Sequence, residues 1–575
     1  MFFVDTIEVA GLGNRSYLAG GARTAVAVDP PRDVEQVIAA AARRGVRISQ
    51  VVETHLHNDY VSGGLELARL TGADYLVPAG ARVSFERVPV TDGDRAEVDA
   101  ADGLALRAVA TPGHTPHHTS YVLEENGTAV AVFTGGALLI GTVGRPDLVE
   151  PRLTERLARA QHASAHRLAA ELPDETAVLP THGFGSFCSS SQAEGSETTI
   201  GKEKASNAAL TRDVDTFVAE LLAGLDDIPA YYTHMAPANA AGPAPVDLTP
   251  PALADADEIA ERLAAGEWVV DLRSRVAFAE GHVAGSFNFE AAGQLATYLA
   301  WLIPWGKAVT LLAESADQLR YAQRELTRVG IDRPAAAATG GPSDWLRAGE
   351  TPGSFPRGTF ADLAERRRGG HVVVLDVRRD SERAGGFVTD SVHIPIHELR
   401  GRLAEVPDGQ VWVHCAGGMR AGIAASLLDA AGRDVVAVDD SFGAAEQAGL
   451  TVARRAAGRA EAQEAAERTG HAAGATAADD VVLLDVRETY EWQAGHAPGA
   501  VHVPLSALEA GGSLPERVAG RSLVVVCRSG NRSRHAAELL VARGADAVDV
   551  IGGMRAWDRL GLPVVDERGE SGTIA

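Results

Sequence analysis

The sequence predicts a multidomain α/β protein on three observations: its length, an internal repeat of domain size, and an order of strand, loop and helix within each copy. At 575 residues the chain exceeds what one hydrophobic core organises, so several domains of roughly 100–200 residues are expected. Three segments of the C-terminal half share one plan. Each opens with a β-branched run that closes on an aspartate and, two residues on, an arginine: Val269-Val270-Asp271-Leu272-Arg273, Val374-Leu375-Asp376-Val377-Arg378 and Leu483-Leu484-Asp485-Val486-Arg487. These aspartates lie 105 and 109 residues apart. A Gly-His pair follows in two copies, with His282 and His496 eleven residues after the aspartate, while Phe387 takes that place in the middle copy. Further apolar strands at 309–312, 411–413 and 523–526 lead into loops and helix-like stretches. That alternation reads as a parallel sheet with helices on its faces.

Residues 1 to about 190 read differently, with short strands at 24–28 and 50–53, a histidine-rich loop, and a strand ending at Phe133-Thr134-Gly135. Stretches 189–198 and 236–251 are rich in Ser, Gly, Ala and Pro, which suits surface segments and a linker, with Gly-Pro-Ala-Pro at 242–245 as the boundary. A hinge is expected near 351–357, and the Ala-rich, charged segment 453–478 is expected to join the last two copies. The expected domains are therefore 1–240, 250–350, 356–452 and 473–570.

The composition, 46% hydrophobic and 23% charged, is that of a folded globular chain. A formal net charge of −24 repels phosphate backbones and anionic lipid, so neither nucleic acid nor membrane is expected as partner, and small molecules are. No basic segment followed by an apolar run opens the sequence, and no apolar stretch is long enough for a bilayer, so a cytoplasmic protein is expected. The three cysteines, Cys188, Cys415 and Cys527, are odd in number and far apart, which suits reduced thiols rather than a disulfide framework. A homo-oligomer is compatible with all of this.

Cys415-Ala-Gly-Gly-Met-Arg420 and Cys527-Arg-Ser-Gly-Asn-Arg532 share the form Cys, four residues, Arg, between a buried strand and a helix. A six-residue loop closing into a helix start points backbone N–H groups at one sulfur, and the helix dipole adds to that field. Such a field stabilises negative charge on sulfur, the form that attacks sulfane sulfur and carries it as a persulfide. Glycines 417, 418 and 530 let the backbone approach closely. Arg420 and Arg532 can pair with an anionic donor such as thiosulfate or a carboxylate-bearing persulfide. Buried structural cysteines at strand ends are the plainer alternative, and two matching loops in matching repeat positions weigh against it.

The third copy resembles the rhodanese family throughout: Asp485-Val-Arg487, Gly-His-Ala-Pro-Gly-Ala-Val-His-Val-Pro at 495–504, Cys527 with Arg532, and Gly-Gly-Met-Arg-Ala-Trp at 552–557. The second copy resembles it in the loop but has Gly-Gly-Phe-Val-Thr at 385–389. The first copy has Ala313 at the cysteine position and Gln318 at the arginine position, so it is expected to be an inactive structural or docking domain.

In the N-terminal region Thr54-His55-Leu56-His57-Asn58-Asp59-Tyr60 follows a strand, His114 lies in Thr111-Pro-Gly-His-Thr, and His182 in Pro180-Thr-His-Gly. Two histidines one residue apart plus a distant one can surround one divalent metal, with loop-bracing histidines as the plainer alternative. His117 and His118 read as ordinary polar residues. This pattern resembles the metallo-β-lactamase fold, an αββα sandwich, and within it the persulfide dioxygenase branch, through Phe133-Thr-Gly, Leu138-Leu139-Ile140 and Gly144-Arg145-Pro146-Asp147. The resemblance implies a mononuclear iron, held by His55, His114 and an aspartate at position 136, that oxidises the outer sulfur of a low-molecular-weight persulfide to sulfite.

Position 136 is Gly, so the two-histidine, one-carboxylate face is incomplete. Tyr60 stands where binuclear hydrolases place a His, which argues against a dinuclear hydrolase. Three outcomes stand open: a His55, His57, His114 site, for which zinc serves as well as iron; a substituted carboxylate such as Asp59, with His182 as a further ligand; or a domain without metal. Cys188 could relay sulfur near this pocket or simply pack in its loop. Two functions follow from the residues. One is an enzyme passing sulfur from persulfide or thiosulfate to an acceptor thiol, coupled to a persulfide dioxygenase or hydrolase domain. The other is a sulfur-binding scaffold or sensor with a degenerate, metal-free N-terminal domain.

Overall fold

In a computed structural model the chain forms two compact units, residues 1–379 with 390–450, and residues 380–389 with 451–575. The structure describes residues 2–190, 195–370, 372–453, 458–472, 481–509, 514–515, 517–518, 521–542 and 545–574. Among them no helix is long and apolar enough to cross a membrane.

The first unit begins with two six-stranded sheets. One runs in chain order through Phe3–Val9, Asn14–Gly20, Thr24–Val28, Arg47–Val52, Asp74–Pro78 and Val88–Val90. The other runs Thr198–Thr199, Ala177–Pro180, Thr128–Gly135, Thr119–Glu125, Leu104–Ala110 and Arg95–Asp99. Period-two alternation decides which face meets which. Val26, Val28, Leu123 and Phe133 pack between the sheets, while Ala25 and Ala27 face helices Glu35–Arg44 and Gly64–Thr71, and Val122 and Val132 face helix Thr154–Glu171. The result is the αββα sandwich expected from the sequence.

Each repeat copy is built on a parallel sheet. The first has the order Phe287–Asn288, Trp268–Asp271, Val309–Ala313, Ala336–Thr339. The second places Val411–His414 between Val373–Asp376 and Val435–Val438, and the third places Ser522–Val526 between Val481–Asp485 and Ala547–Val550. The repeated Asp-x-Arg is structural. Asp271, Asp376 and Asp485, all buried, accept from the guanidinium of Arg273, Arg378 and Arg487. Arg273 and Arg487 also donate to the carbonyls of Gly281 and Gly495 at 2.7 Å, tying each Gly-His pair to its strand end.

The first copy ties its neighbours in the unit together. Toward the N-terminal sandwich, Arg328 donates to both carboxylate oxygens of Asp33 at 2.7 and 2.8 Å, and Arg32 donates to the Thr327 carbonyl at 2.9 Å. Toward the second copy, Arg275 donates to Asp439 at 2.7 Å, His282 Nε2 lies 3.1 Å from Asp429, and the Asn288 amide donates to Ser426 at 3.0 Å. Helix Met419–Ala430 is consequently buried on nearly every side from Arg420 to Leu428.

Two segments differ from the sequence expectation. The stretch read as a linker from 236 is helical to 241, in Tyr232–Ala241, because Tyr232, Met235 and Asn239 are buried; the chain leaves the helix at Gly242, at φ 88°. The segment read as a joint after 453 supplies strand Gly458–Ala460, parallel to Ala547–Val550, and helix Ala462–Arg468, whose alanines 462, 465 and 466 are buried. Its residues 454–457 and 473–478 lie outside the described ones, as do 191–194 of the expected surface stretch. The departure of the second copy at 385–389 also has a physical counterpart, since Phe387–Val388 pairs antiparallel with Val452–Ala453 in the C-terminal unit.

Candidate metal centre and sulfur-transfer loops

The loop after strand Arg47–Val52 brings His55, His57 and Asp59 to the ends of parallel strands, where His114 and His182 meet them, all five buried. His55, His57 and His182 offer donor atoms within 4.8 Å of one another, and so do His114, His182 and Cys188. His182 is common to both groups.

Hydrogen bonds fix the tautomers. The Thr54 hydroxyl donates to Asp29 at 2.8 Å, so it accepts from His55 Nδ1–H, also at 2.8 Å. His114 Nδ1–H donates to the Arg145 carbonyl at 2.8 Å. His182 Nδ1–H faces Asn14 Oδ1 at 3.0 Å and Asp59 Oδ2 at 3.3 Å. Each of these rings therefore keeps its Nε2 lone pair free for a cation. His55 Nε2 and His182 Nε2 stand 3.3 Å apart, close to the separation of about 3.3 Å that two imidazoles bound at about 2.0–2.1 Å to one tetrahedral metal adopt. Burial pushes His55 and His114 well below the usual imidazole range, which keeps them neutral donors.

His57 differs. Its Nε2 lies 3.3 Å from Asp29 and 3.2 Å from Glu53, so the ring is turned toward two buried carboxylates. Burial opposes its charge, but Asp29 and Glu53 outweigh burial and raise it to about 10. Asp59 accepts from Asn14 at 2.7 Å while facing His182, so one of its oxygens serves to orient that ring. Tyr60 donates to the Asp29 carbonyl at 3.1 Å, and burial pushes its phenol well up.

Position 136 has no room for a side chain in this arrangement. A Cβ there would lie 2.3 Å from His114 Cδ2, and one on Gly144 would lie 2.7 Å from His114 Nδ1. The imidazole of His114 occupies the room that an aspartate side chain at this position would need, so the family's iron face does not assemble from His55, His114 and position 136. The donors present nevertheless fit one divalent metal.

Four supporting residues escape sequence reasoning. Asp29, at φ 47°, holds Thr54 and His57. Glu53 backs His57. His118 accepts the Gly136 N–H at 3.0 Å on Nε2 and faces Thr111 with Nδ1. Asn239 donates to the carbonyls of His57 and Tyr60 at 3.0 and 2.9 Å, holding the histidine loop from a distant helix. A cleft of about 800 Å³ lies beside this loop, lined by Leu56, Asn58, Thr115, Tyr232, Arg82 and Arg152.

In the second copy the Gly418 N–H donates to Cys415 Sγ at 3.1 Å, and in the third the Gly530 N–H donates to Cys527 Sγ at 3.2 Å. Gly418 and Gly530 adopt φ of 94° and 97°, which turns those amides toward sulfur. Both cysteines are buried, at 2% and 1% exposure, at the edge of apolar clusters. Arg420 is buried in the first turn of its helix, and Arg532 makes a bidentate pair with Glu491 at 2.5 and 2.6 Å. In the first copy Ala313 ends the strand fully buried, and Gln318 accepts from the Glu314 amide of its own loop and donates to the Leu272 carbonyl after strand Trp268–Asp271. That copy has neither nucleophile nor anion clamp.

Residues 255–348, 359–448 and 470–560 match the Rhodanese-like domain, and residues 11–182 match the Metallo-beta-lactamase superfamily. Human persulfide dioxygenase ETHE1, mitochondrial, is 30% identical over 213 residues, covering 35% of this chain and 74% of the relative. The chain is a persulfide dioxygenase-like member of the metallo-beta-lactamase superfamily fused to three rhodanese-like domains. A hydroxyacylglutathione hydrolase of Cereibacter sphaeroides (strain ATCC 17029 / ATH 2.4.9) is 35% identical over 171 residues, 29% of this chain and 60% of the relative. Among solved structures, a metallo-beta-lactamase from Staphylococcus aureus subsp. aureus COL superposes with a TM-score of 0.53 at 25% identity, covering 59% of this chain and 99% of that one.

Two substitutions probe these domains. In the metallo-beta-lactamase domain, Gly136→Ala is expected to lower stability by about 1–3 kcal/mol, because its methyl meets the His114 ring; an unchanged denaturation midpoint contradicts the packing described. In the third rhodanese-like domain, a Cβ on Gly553, at φ 55°, would lie 2.4 Å from the Cys527 carbonyl and 2.8 Å from the Gly530 nitrogen. Gly553→Ala in a Cys415→Ala background is therefore expected to slow sulfur transfer by about 10- to 100-fold through a displaced loop; full activity contradicts it.

Proposed function

We propose that this protein of sulfur metabolism passes sulfane sulfur through Cys527 and Cys415, and that its metallo-beta-lactamase domain consumes low-molecular-weight persulfides as a persulfide dioxygenase. The observation that carries the transfer reading is the pair of glycine amides aimed at the two sulfurs. In this reading the cysteine thiolate attacks the outer sulfur of thiosulfate, the S–S bond breaks, and sulfite leaves with the electron pair. An acceptor thiolate or cyanide then takes that sulfur and returns the cysteine thiolate. The loop amides stabilise charge on sulfur, while Arg420 and Arg532 receive the anion, Arg532 on release from Glu491.

For the N-terminal domain the proposal rests on the inward Nε2 atoms of His55, His114 and His182, with burial keeping His55 and His114 neutral. Asp59 acts through His182. Such a set would hold one divalent metal, iron in the dioxygenase reading, which supplies the activation of dioxygen. Of the charged residues lining the cleft, Arg152 is paired with Glu150, which leaves Arg82 as the cation that could meet an anionic thiol carrier. Physical linkage raises the local concentration of persulfide between the domains, and the free thiols suit a reducing compartment. Thiosulfate and cyanide supplied to the full chain test the transfer reading: sulfite and thiocyanate should form in equal amounts, and their absence removes it. The absent carboxylate at Gly136 favours one other reading, a sulfur-binding scaffold without metal. That reading predicts a persulfide that accumulates on the cysteines without turnover.

A further inference from the structure

The metallo-beta-lactamase domain lacks an anionic ligand at position 136 and holds a cysteine that neither sulfur-transfer loop uses. We propose that Cys188 binds the N-terminal metal as a thiolate together with His114 and His182, taking the place of the missing carboxylate. The proposal rests on the metal-dependent reading of the domain given above.

Geometry carries it. Cys188 Sγ and one ring nitrogen each of His114 and His182 lie within 4.8 Å of one another, and all three residues are fully buried. His114 Nε2 has no hydrogen-bond partner. A buried acceptor left without a partner is destabilising, so this lone pair calls for a cation. The site is built rather than incidental. One residue, Arg145, fixes both ligands, since its carbonyl accepts from His114 Nδ1–H at 2.8 Å and its amide donates to the Cys188 carbonyl at 2.9 Å. The Cys188 amide donates to Ser186 Oγ at 3.1 Å, which sets the direction of the chain at the thiol. Glycines 136 and 144 flank the His114 ring, so the change that deletes the carboxylate also makes room for the imidazole that faces this cysteine group.

Charge argues the same way. Imidazole ligands are neutral, and the nearby carboxylates Asp59, Asp29 and Glu53 face His182 and His57, so a thiolate would be the anionic member of this ligand group. Mixed imidazole and thiolate sets are established ligands for divalent metals. On binding, the S–H bond breaks, the electron pair stays on sulfur to form the metal–sulfur bond, and the proton leaves to solvent.

The test uses full-length Cys415→Ala, Cys527→Ala protein, whose one remaining thiol is Cys188 among three cysteines in the chain. Alanine at the loop position is already accommodated at Ala313 of the first rhodanese-like domain. Titrated with cobalt(II), this protein should bind one ion and develop a thiolate-to-cobalt charge-transfer band in the near ultraviolet. Adding Cys188→Ser should remove the band and weaken cobalt binding at least about 10-fold. One cobalt bound without that band overturns the assignment of Cys188 and leaves the histidine site standing. Failure to bind cobalt removes the metal-dependent reading and this inference with it. The band in the parent decides the matter even if the serine variant does not fold.

Discussion

Replacing Cys415 and Cys527 together by alanine is expected to lower thiosulfate:cyanide sulfur transfer at least about 1000-fold, because no other group in either loop forms a persulfide. The fold should survive the change. Both cysteines sit at strand ends within apolar clusters, and the first rhodanese-like domain keeps the same strand with Ala313 in that place. A shift in Tm of only a few degrees is therefore expected. Each single replacement should leave the turnover of the other loop, so the two singles together report how the flux divides. A double variant that keeps the wild-type rate shows that the nucleophiles lie elsewhere.

Stripping the divalent metal, or replacing His182 by alanine, is expected to abolish oxygen uptake on glutathione persulfide while leaving thiosulfate:cyanide transfer within about twofold of its starting value. His182 is the donor shared by both ligand groups. Loss of a second-sphere partner alone typically weakens metal binding 10- to 100-fold, so loss of this ligand should exceed about 100-fold. Stability should fall with it, since metal at 100 times its dissociation constant contributes about 2.7 kcal/mol to the folded state. Metal analysis, calorimetry and an oxygen electrode on the same preparation check all three. Purified protein with neither metal nor oxygen uptake supports the scaffold reading of this domain instead.

Much of the architecture is legible in the residues because it repeats. The three Asp-x-Arg strands, the two Cys-x4-Arg loops and the empty first loop lie within single domains, where spacing along the chain maps directly onto the sheet. The histidine centre is legible only in part. His55 and His57 share one loop, and spacing finds them, but the ring nitrogens that point inward are chosen by Asp29, Thr54, Arg145 and Asn14, which come from separate strands and loops. His118 reads as an ordinary polar residue because its partner is a backbone amide, that of Gly136. Asn239 hides in a stretch whose Ala, Gly and Pro suggest a linker, yet buried Tyr232 and Met235 make it a helix. Sequence spacing shows that the carboxylate at position 136 is absent; only packing shows that His114 has taken its room. Glu491 as the partner of Arg532 is likewise set by the fold, 41 residues away in the chain.

Sulfur transfer through Cys527 and Cys415 is the centre of this account, and intact-protein mass spectrometry with peptide mapping after thiosulfate treatment tests it most directly. The expected result is one added sulfur on each of Cys527 and Cys415, removed on adding a thiol. No adduct on either residue, or one that persists in the presence of thiol, contradicts it.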